Sequence, residues 1–257
     1  MYSDLLANLN PEQREAVTLP PVNENGQAQS AMILAGAGSG KTRVLTTRIA
    51  WLIQTGQVSP IGVLAVTFTN KAAGEMKMRV TELVGERAKS MMVSTFHSAC
   101  VRMLRTDATV LGYKNSFTIY DQSDSQRLAA IVMNDLKMDT KRYAPRAVSA
   151  AISNAKNELM GPADYQQTVK NHFEEVVAEV YAIYQQRLTS ANAMDFDDLL
   201  LNAVKMLRTS DEVRQRYQQQ FRHVLVDEFQ DTNGVQNELV SILGDYHQNI
   251  FVVGDAD

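Results

Sequence analysis

A run of small residues followed by a lysine and a hydroxyl residue is the strongest chemical signal in this sequence. It reads Ala35-Gly36-Ala37-Gly38-Ser39-Gly40-Lys41-Thr42, with Arg43 directly after it. Small residues let backbone N–H groups surround phosphate oxygens, and the N-terminus of a following helix adds favourable partial charge. We expect Lys41 to neutralise the β and γ phosphates of a nucleotide and the hydroxyl of Thr42 to ligate Mg²⁺. We therefore predict that residues 35–43 form a nucleotide-binding segment.

Two adjacent carboxylates, Asp227 and Glu228, form the second signal because they directly follow the apolar run 224–226. An Asp-Glu pair by itself is usually solvated surface. Here the pair lies at the end of a predicted buried strand and downstream of a phosphate loop, which favours phosphate hydrolysis. Asp227 is predicted to hold Mg²⁺, directly or through water, and Glu228 to orient or deprotonate the attacking water. Together the two segments predict an ATPase or a GTPase.

The elements that must position these groups follow from the apolar pattern. Short apolar runs alternate with longer amphipathic stretches in the first half of the chain, which predicts an α/β fold with a parallel sheet flanked by helices. We predict strands over residues 31–35, 62–67, 91–95, 223–226 and 250–253, with helices after the glycine-rich loop and from about 72 to 84. The loop and the carboxylate pair each follow one of these strands.

The pattern from about residue 102 to 193 is nearly continuous helix, with a possible short strand over 117–120. Helix starts are predicted at Ser123, where Gln126 fits a capping box, and near Pro145. We therefore expect one α/β domain in two parts, 1–101 and 194–257, interrupted by a helical insertion over 102–193. Because the chain stops directly after a predicted strand, we expect it to be a fragment of a longer protein.

Composition limits the classes of protein without identifying a partner. The chain has 257 residues, a single cysteine (Cys100) and a formal net charge of −4. We expect no disulfide framework, thiolate zinc cage, signal peptide or membrane helix, so the expected location is the cytoplasm. The net charge argues against a globally basic nucleic-acid binder but allows a local basic groove. The basic residues Lys137, Lys141, Arg142 and Arg146 of the helical insertion leave two explanations open, a contact with duplex DNA and a solvated face, of which the solvated face is the simpler.

Further segments resemble, in chain order, the motifs of UvrD/PcrA/Rep-type superfamily 1 DNA helicases. These segments are residues 9–17, which resemble the Q motif, and residues 67–73, 95–98, 195–199, 227–232 and 254–257. Ala35 stands where the general phosphate-loop pattern has glycine, a departure that this helicase family shares. The resemblance spans residues from about 5 to 257 and is least distinctive in the helical insertion. As an ordered set, the motifs are highly specific.

The resemblance implies a RecA-like fold and an ATP-dependent 3′ to 5′ DNA helicase, or single-stranded DNA translocase, of DNA repair or replication. It implies ATP and Mg²⁺ as ligands, adenine recognition by Gln13, and single-stranded DNA and single-strand/duplex junctions as partners. The residues that it assigns to DNA contacts are Phe68, Asn70, Lys71, Thr95, His97 and Phe196. It also implies a second RecA-like domain with arginine fingers, without which the isolated chain should hydrolyse ATP slowly.

Other classes of protein remain open. A helicase-like subunit of a repair nuclease would share these motifs. A small-molecule kinase would share the phosphate loop and the sheet, but it would not need Gln13 or the segments around Phe68 and Phe196. A non-catalytic ATP-dependent switch would not need Glu228. Stimulation of ATP hydrolysis by single-stranded DNA separates the helicase from the kinase and the switch.

Overall fold

The computed structural model describes residues 3–23, 28–36 and 38–255, and the chain divides into two compact units. The first unit consists of residues 1–99, 211–232 and 240–257, and the second of residues 100–210 and 233–239. This division differs from the expected boundary at 193 because the helix that follows this position belongs to the second unit. The assignment of domains to 1–101, 102–193 and 194–257 stays a prediction. No helix within the described ranges is long and apolar enough to cross a membrane.

The strands of the described residues form two parallel sheets. They are β1 (Ala31–Leu34), β2 (Val63–Thr67), β3 (Met92–Thr95), β4 (Thr118–Tyr120), β5 (Ala193–Asp195), β6 (His223–Val226) and β7 (Ile250–Gly254). In the first unit, five of them pair in the order β1, β7, β6, β2, β3. In the second unit, β4 pairs with β5. The predicted α/β fold with a parallel sheet flanked by helices is confirmed.

The helices account for most of the remaining chain. Those within the described ranges are α1 (Ser3–Leu6), α2 (Pro11–Thr18), α3 (Lys41–Gln54), α4 (Asn70–Val84), α5 (Phe96–Asp107), α6 (Gln122–Asp135), α7 (Pro145–Asn157), α8 (Pro162–Thr168), α9 (His172–Ser190), α10 (Phe196–Thr209), α11 (Asp211–Gln220) and α12 (Gly234–Gly244). Short 3₁₀ turns occupy Pro60–Gly62, Gly85–Ser90, Ala108–Leu111 and Phe229–Asp231.

The core of the first unit holds α3 against the sheet. Every residue of β2 and β6 is buried, as expected for strands that are covered on both faces. Leu45, Ile49 and Leu52 of α3 join Leu225 and Phe251 in one apolar cluster. Burial of each such side chain contributes roughly 1.5–3 kcal/mol of stability. This packing fixes the start of α3, and with it the end of the glycine-rich loop.

The parallel topology brings distant segments to one edge of the sheet. Leu34 pairs with Gly254, so β1 and β7 end at the same level. Thr67 pairs with Thr95, so β2 and β3 also end at the same level. The end of β6 is joined to this edge because Val66 in β2 pairs with Val226. In open parallel sheets, ligands bind beyond the carboxyl ends of the strands. The topology therefore places the phosphate loop, the segment after β2 and the carboxylate pair at the edge where a ligand is expected.

The second unit has its own apolar core, formed mainly by α6, α7 and α9. Val132, Ile152, Val177 and Leu188 are buried in it. Helix α10 begins directly after β5, and it contacts α7. This unit therefore holds the predicted DNA-contact segment 195–199.

The start of α6 differs from the prediction. The N-cap is Asp121, whose carboxylate accepts a hydrogen bond from the backbone N–H of Asp124 at 2.8 Å, and Asp124 Oδ2 accepts from the N–H of Asp121 at 3.3 Å. The predicted box of Ser123 and Gln126 is therefore wrong, since β4 ends at Tyr120 and the helix starts at once. Helix α2 has a capping box too, with Asn10 as its N-cap residue and Pro11 as its first residue.

Candidate functional site

The glycine-rich loop turns sharply between β1 and α3. Gly38 and Gly40 have φ values of 77° and 86°, a region that other residues rarely adopt. Gly40 is the N-cap residue of α3 and forms no side-chain capping bond, so the first backbone N–H groups of α3 stay available for an anion. Gly36 and Ser39 belong to the same loop, and the remaining loop residue, Ala37, lies outside the described residues.

Lys41 lies inside this loop as the first residue of α3, and only 8% of its surface is exposed. Its Nζ donates to the carbonyl of Ala35 at 3.1 Å and forms an ion pair with Asp255, after β7. The hydrogen bond with Asp255 raises the pKa of Lys41, and attraction by Asp255, Glu228 and Asp227 adds to this rise against the opposing effect of burial. Lys41 therefore carries its positive charge before any phosphate arrives, and a nucleotide would compete with Asp255 for it.

Thr42 and Asp227 lie next to each other across the sheet edge. The hydroxyl of Thr42 donates to Asp227 Oδ2 at 3.3 Å. Asp227 is 3% exposed, and its buried Oδ1 accepts no hydrogen bond from the described part of the chain. Burial raises the pKa of Asp227, with a further rise from the negative charge of Glu228. A hydroxyl beside a carboxylate with an unsatisfied oxygen fits the oxygen ligands that Mg²⁺ prefers.

Glu228, directly after Asp227, has an unusual backbone conformation. Its φ of 52° lies in the left-handed region, where strain often accompanies a functional site. Gln230 Nε2 donates to Glu228 Oε2 at 2.8 Å, and Gln230 Oε1 accepts from the N–H of Asp255 at 3.0 Å. A side chain on Gly254 would place its Cβ 2.8 Å from Gln230 Oε1. Gln230 thus joins the ends of β6 and β7, a role that the sequence analysis did not assign.

Gln13, the predicted adenine-recognition residue, connects α2 to the phosphate loop. Its Oε1 accepts from the N–H of Asn10 at 3.1 Å, and its Nε2 donates to the carbonyl of Ser39 at 2.8 Å. Arg43 is exposed and donates to the carbonyl of Asn8. Contact of Gln13 with adenine and of Arg43 with a nucleotide both stay predictions.

The predicted DNA-contact residues of the first unit follow β2 and β3. Phe68 is half-buried and makes an edge-to-face contact with Phe96, with ring centroids 5.8 Å apart. Asn70 and Lys71 are exposed on the first turn of α4. Thr95 is buried, and its hydroxyl donates to Ser98 Oγ at 2.9 Å, while His97 is half-buried.

One cleft connects the predicted DNA contacts with the predicted metal ligands. It has a volume of about 290 Å³, and its walls include Thr42, Phe68, Asp227 and Glu228. A group bound against Phe68 would therefore face the same space as the carboxylates. Phe196 lies in the second unit as the first residue of α10 and is 51% exposed.

Residues close to Phe196 in the sequence belong to a buried network of charged side chains. The Lys156 side chain is fully buried, and its Nζ lies 2.6 Å from Asp195 Oδ2 and 2.9 Å from Asp198 Oδ1. The hydroxyl of Tyr184 donates to Asp195 Oδ2 at 2.8 Å. Asp195 also caps α10 by accepting from the N–H of Asp198 at 2.8 Å. The residues on both sides of Phe196 are therefore fixed, and the sequence analysis did not identify Lys156.

Comparison with known proteins identifies the family. Residues 9–257 match the family model described as the UvrD/REP helicase N-terminal domain. The chain is 47% identical over 255 residues to the ATP-dependent DNA helicase PcrA of Staphylococcus aureus and 46% identical to that of Staphylococcus epidermidis. These matches cover 98% of this chain but only 34% of each relative, so the chain spans about a third of their length. The chain belongs to the UvrD/REP helicase N-terminal domain family.

Proposed function

We propose that this chain is the ATP-binding portion of an ATP-dependent 3′ to 5′ DNA helicase that acts in repair or replication. The observation that carries the proposal is the shared cleft, in which Phe68 lies on the same walls as Thr42, Asp227 and Glu228. Family membership supports it, and the relatives in Staphylococcus are named as ATP-dependent DNA helicases. The proposed partners are single-stranded DNA and its junctions with duplex.

The proposed ATP chemistry uses groups that the fold already positions. The loop N–H groups and Lys41 neutralise phosphate charge, and Lys41 exchanges Asp255 for the nucleotide. Thr42 and Asp227 would hold Mg²⁺, which when bound draws charge from the phosphate oxygens. Glu228 accepts a hydrogen bond from the attacking water and takes its proton. The carboxylate of Glu228 is oriented for this task by the amide of Gln230.

The proposed DNA contact uses the segment after β2. A base stacks on Phe68, and the exposed Asn70 and Lys71 lie beside it to contact the backbone of the strand. Stacking contributes roughly 1–3 kcal/mol per base and tolerates any base, as a translocating motor requires. Because Phe68 and Glu228 line one cleft, a base that moves Phe68 also changes the space around the attacking water.

The test is ATP hydrolysis under single-turnover conditions, with and without single-stranded oligonucleotide, because the rate of the isolated chain is expected to be low. Single-stranded DNA should stimulate hydrolysis. Glu228→Gln should lower the stimulated rate by a factor of about 100 or more while it leaves binding of labelled ATP intact. Glu86→Gln makes the same change in charge at an exposed 3₁₀ turn and should leave the rate unchanged.

Two results would contradict the proposal. Hydrolysis that DNA does not stimulate would favour a kinase or a switch over a DNA-driven motor. A Glu228→Gln variant as fast as Glu86→Gln would exclude Glu228 as the group that activates water.

A further inference from the structure

Two asparagines of the second unit connect the first turn of α10 to the start of α12. Asn157 is the last residue of α7, and its Nδ2 donates to the carbonyl of Ser153 at 2.9 Å and to Asp197 Oδ1 at 3.2 Å. Asn233 directly precedes α12, and its Nδ2 donates to Asn157 Oδ1 at 2.7 Å. Asn157 and Asn233, here called the asparagine pair, thus continue a chain of hydrogen bonds from Asp197 to α12. Neither takes part in the proposed ATP chemistry or in the expected DNA contacts.

The asparagine pair holds the end of α7 tightly against the start of α12. Asn233 Oδ1 caps α12 by accepting from the N–H of Gln236 at 3.0 Å, and Gln236 Oε1 accepts from the N–H of Asn233 at 3.1 Å. A Cβ on Gly234 would lie only 3.3 Å from the carbonyl oxygen of Asn157. Each amide of the pair uses both its oxygen and its nitrogen, so its orientation is fixed. A shift of Asp197 would therefore be passed through Asn157 to Asn233.

One end of this chain of hydrogen bonds lies beside Phe196, which is expected to contact DNA. Two consecutive residues of α7 hold the two neighbours of Phe196, since Lys156 forms an ion pair with Asp195 and Asn157 donates to Asp197. The ion pair of the fully buried Lys156 is the stronger of the two contacts, because both of its groups are charged. A strand that binds against Phe196 would therefore displace Asp197 and its neutral partner Asn157 more easily than Asp195.

The other end is joined to Glu228 by a short stretch of the chain itself. The N–H of Asp231 donates to the carbonyl of Glu228 at 3.0 Å, and the N–H of Thr232 donates to the carbonyl of Phe229 at 3.2 Å. Asn233 follows this hydrogen-bonded turn directly. Glu228 has a φ of 52°, a strained conformation that a small shift of its neighbours can change. A displacement of Asn233 would therefore reach the residue that is proposed to activate water.

We propose that Asn157 and Asn233 are positioning residues that transmit the binding of single-stranded DNA at the second unit to Glu228. DNA held against Phe196 moves Asp197, and the asparagine pair passes this shift to the backbone at position 233. The turn that follows Glu228 then moves its carboxylate relative to the attacking water. This inference rests on the proposed function, because it requires that single-stranded DNA stimulates ATP hydrolysis.

The test breaks the link from both sides while the helices keep their caps. Asn233→Asp keeps the Oδ1 that caps α12 but removes the Nδ2 that donates to Asn157. Asn171→Asp is its matched control, because Asn171 caps α9 in the same unit by accepting from the N–H of Glu174 at 3.0 Å. Asn157→Leu removes the hydrogen bonds of the other amide at similar volume, and Asn154→Leu, at an exposed position of the same helix, is its control. Thermal melting checks that all four variants fold.

The measured quantity is the ratio of the single-turnover hydrolysis rates with and without saturating oligo-dT. Asn233→Asp and Asn157→Leu should each lower this ratio by a factor of about five or more, within the range typical of coupling between two sites. Binding of labelled ATP and the rate without DNA should not change, whereas a general loss of structure would lower both rates together. The double variant should lower the ratio no further than either single variant, because both changes remove the same link.

Two results would overturn the inference and leave the proposed function intact. The first is a ratio in Asn233→Asp and Asn157→Leu that equals the ratio in their controls. The second is a double variant in which the two effects multiply, since the asparagines would then act independently. Failure of oligo-dT to stimulate hydrolysis by the unaltered chain would instead overturn the proposed function, and the inference with it.

Discussion

Replacement of Lys156 by methionine should destabilise the chain strongly, because it leaves a buried acidic pair without its cation. Lys156, Asp195 and Asp198 are nearly inaccessible to solvent, and Lys156 is within 3 Å of both carboxylates. Methionine fills most of the volume of the lysine side chain, so the expected loss reflects charge rather than a cavity. Removal of one partner from a buried ion pair costs about 3–5 kcal/mol.

Urea unfolding followed by circular dichroism measures this loss. With an m value of about 3 kcal/mol per M, the midpoint should fall by about 1–1.7 M at pH 7. Burial already raises the pKa of Asp198, and loss of Lys156 should raise it further. Asp198 in the folded variant should therefore bind its proton at a higher pH than an unfolded carboxyl, whose pKa is near 3.9. The destabilisation should consequently be smaller at pH 5 than at pH 7.

Arg187→Met is the matched control because it also removes one positive charge from an ion pair. Arg187 pairs with Asp135 at 2.6 Å, but both side chains are at least 38% exposed. Exposed ion pairs contribute about 0–1 kcal/mol to the free energy of unfolding. If the two variants lost the same stability at pH 7, the reasoning that assigns Lys156 to a strongly coupled buried network would be refuted.

Two further predictions concern a buried imidazole and a close backbone approach. Burial lowers the pKa of His223 to about 4. An unfolded histidine binds its proton near pH 6.5, so stability should fall by up to about 3 kcal/mol between pH 6.5 and 4. His223→Gln should remove this part of the pH dependence of the melting temperature. His172→Gln, at an exposed site, is the control, and the argument would be contradicted if the melting temperatures of the two variants fell equally steeply between pH 6.5 and 4. Gly254→Ala should displace Gln230 and slow ATP hydrolysis by a factor on the order of 10–100, with little change in melting temperature. Gly74→Ala adds a methyl group that meets nothing within 4 Å, and comparable slowing in both variants would exclude a specific effect on the site.

Much of the fold could be predicted from the sequence because buried parallel strands are short apolar runs. The strands over 223–226 and 250–253 were predicted to within one residue, and the glycine-rich turn marked the end of β1. The start of α6 was predicted two residues late. Two pairs of residues have the types and spacing of a capping box, Asp121 with Asp124 and Ser123 with Gln126. The helix uses the first pair because β4 ends at Tyr120, directly before Asp121.

The partners of the site residues could not be predicted in the same way. Lys156 lies among small and polar residues in a helix, a pattern typical of a solvated lysine, and only the packing of the second unit buries it with two carboxylates. Asp255 forms an ion pair with Lys41 because β1 pairs with β7, although more than 200 residues separate the two strands in the sequence. Local sequence patterns do not specify such long-range neighbours.

The pairing of β2 with β6 has a consequence for the order in which the chain acquires its structure. Val63 is in register with His223, 160 positions later, so the middle of the sheet cannot close until the intervening chain has been synthesised. The entropy of closing a loop grows only with the logarithm of its length, and a compact folded insert shortens it further. Contacts at this separation nonetheless slow folding. The loop expected to bind phosphate is thus synthesised early. The carboxylates expected to act in the same site are synthesised only after the helical unit.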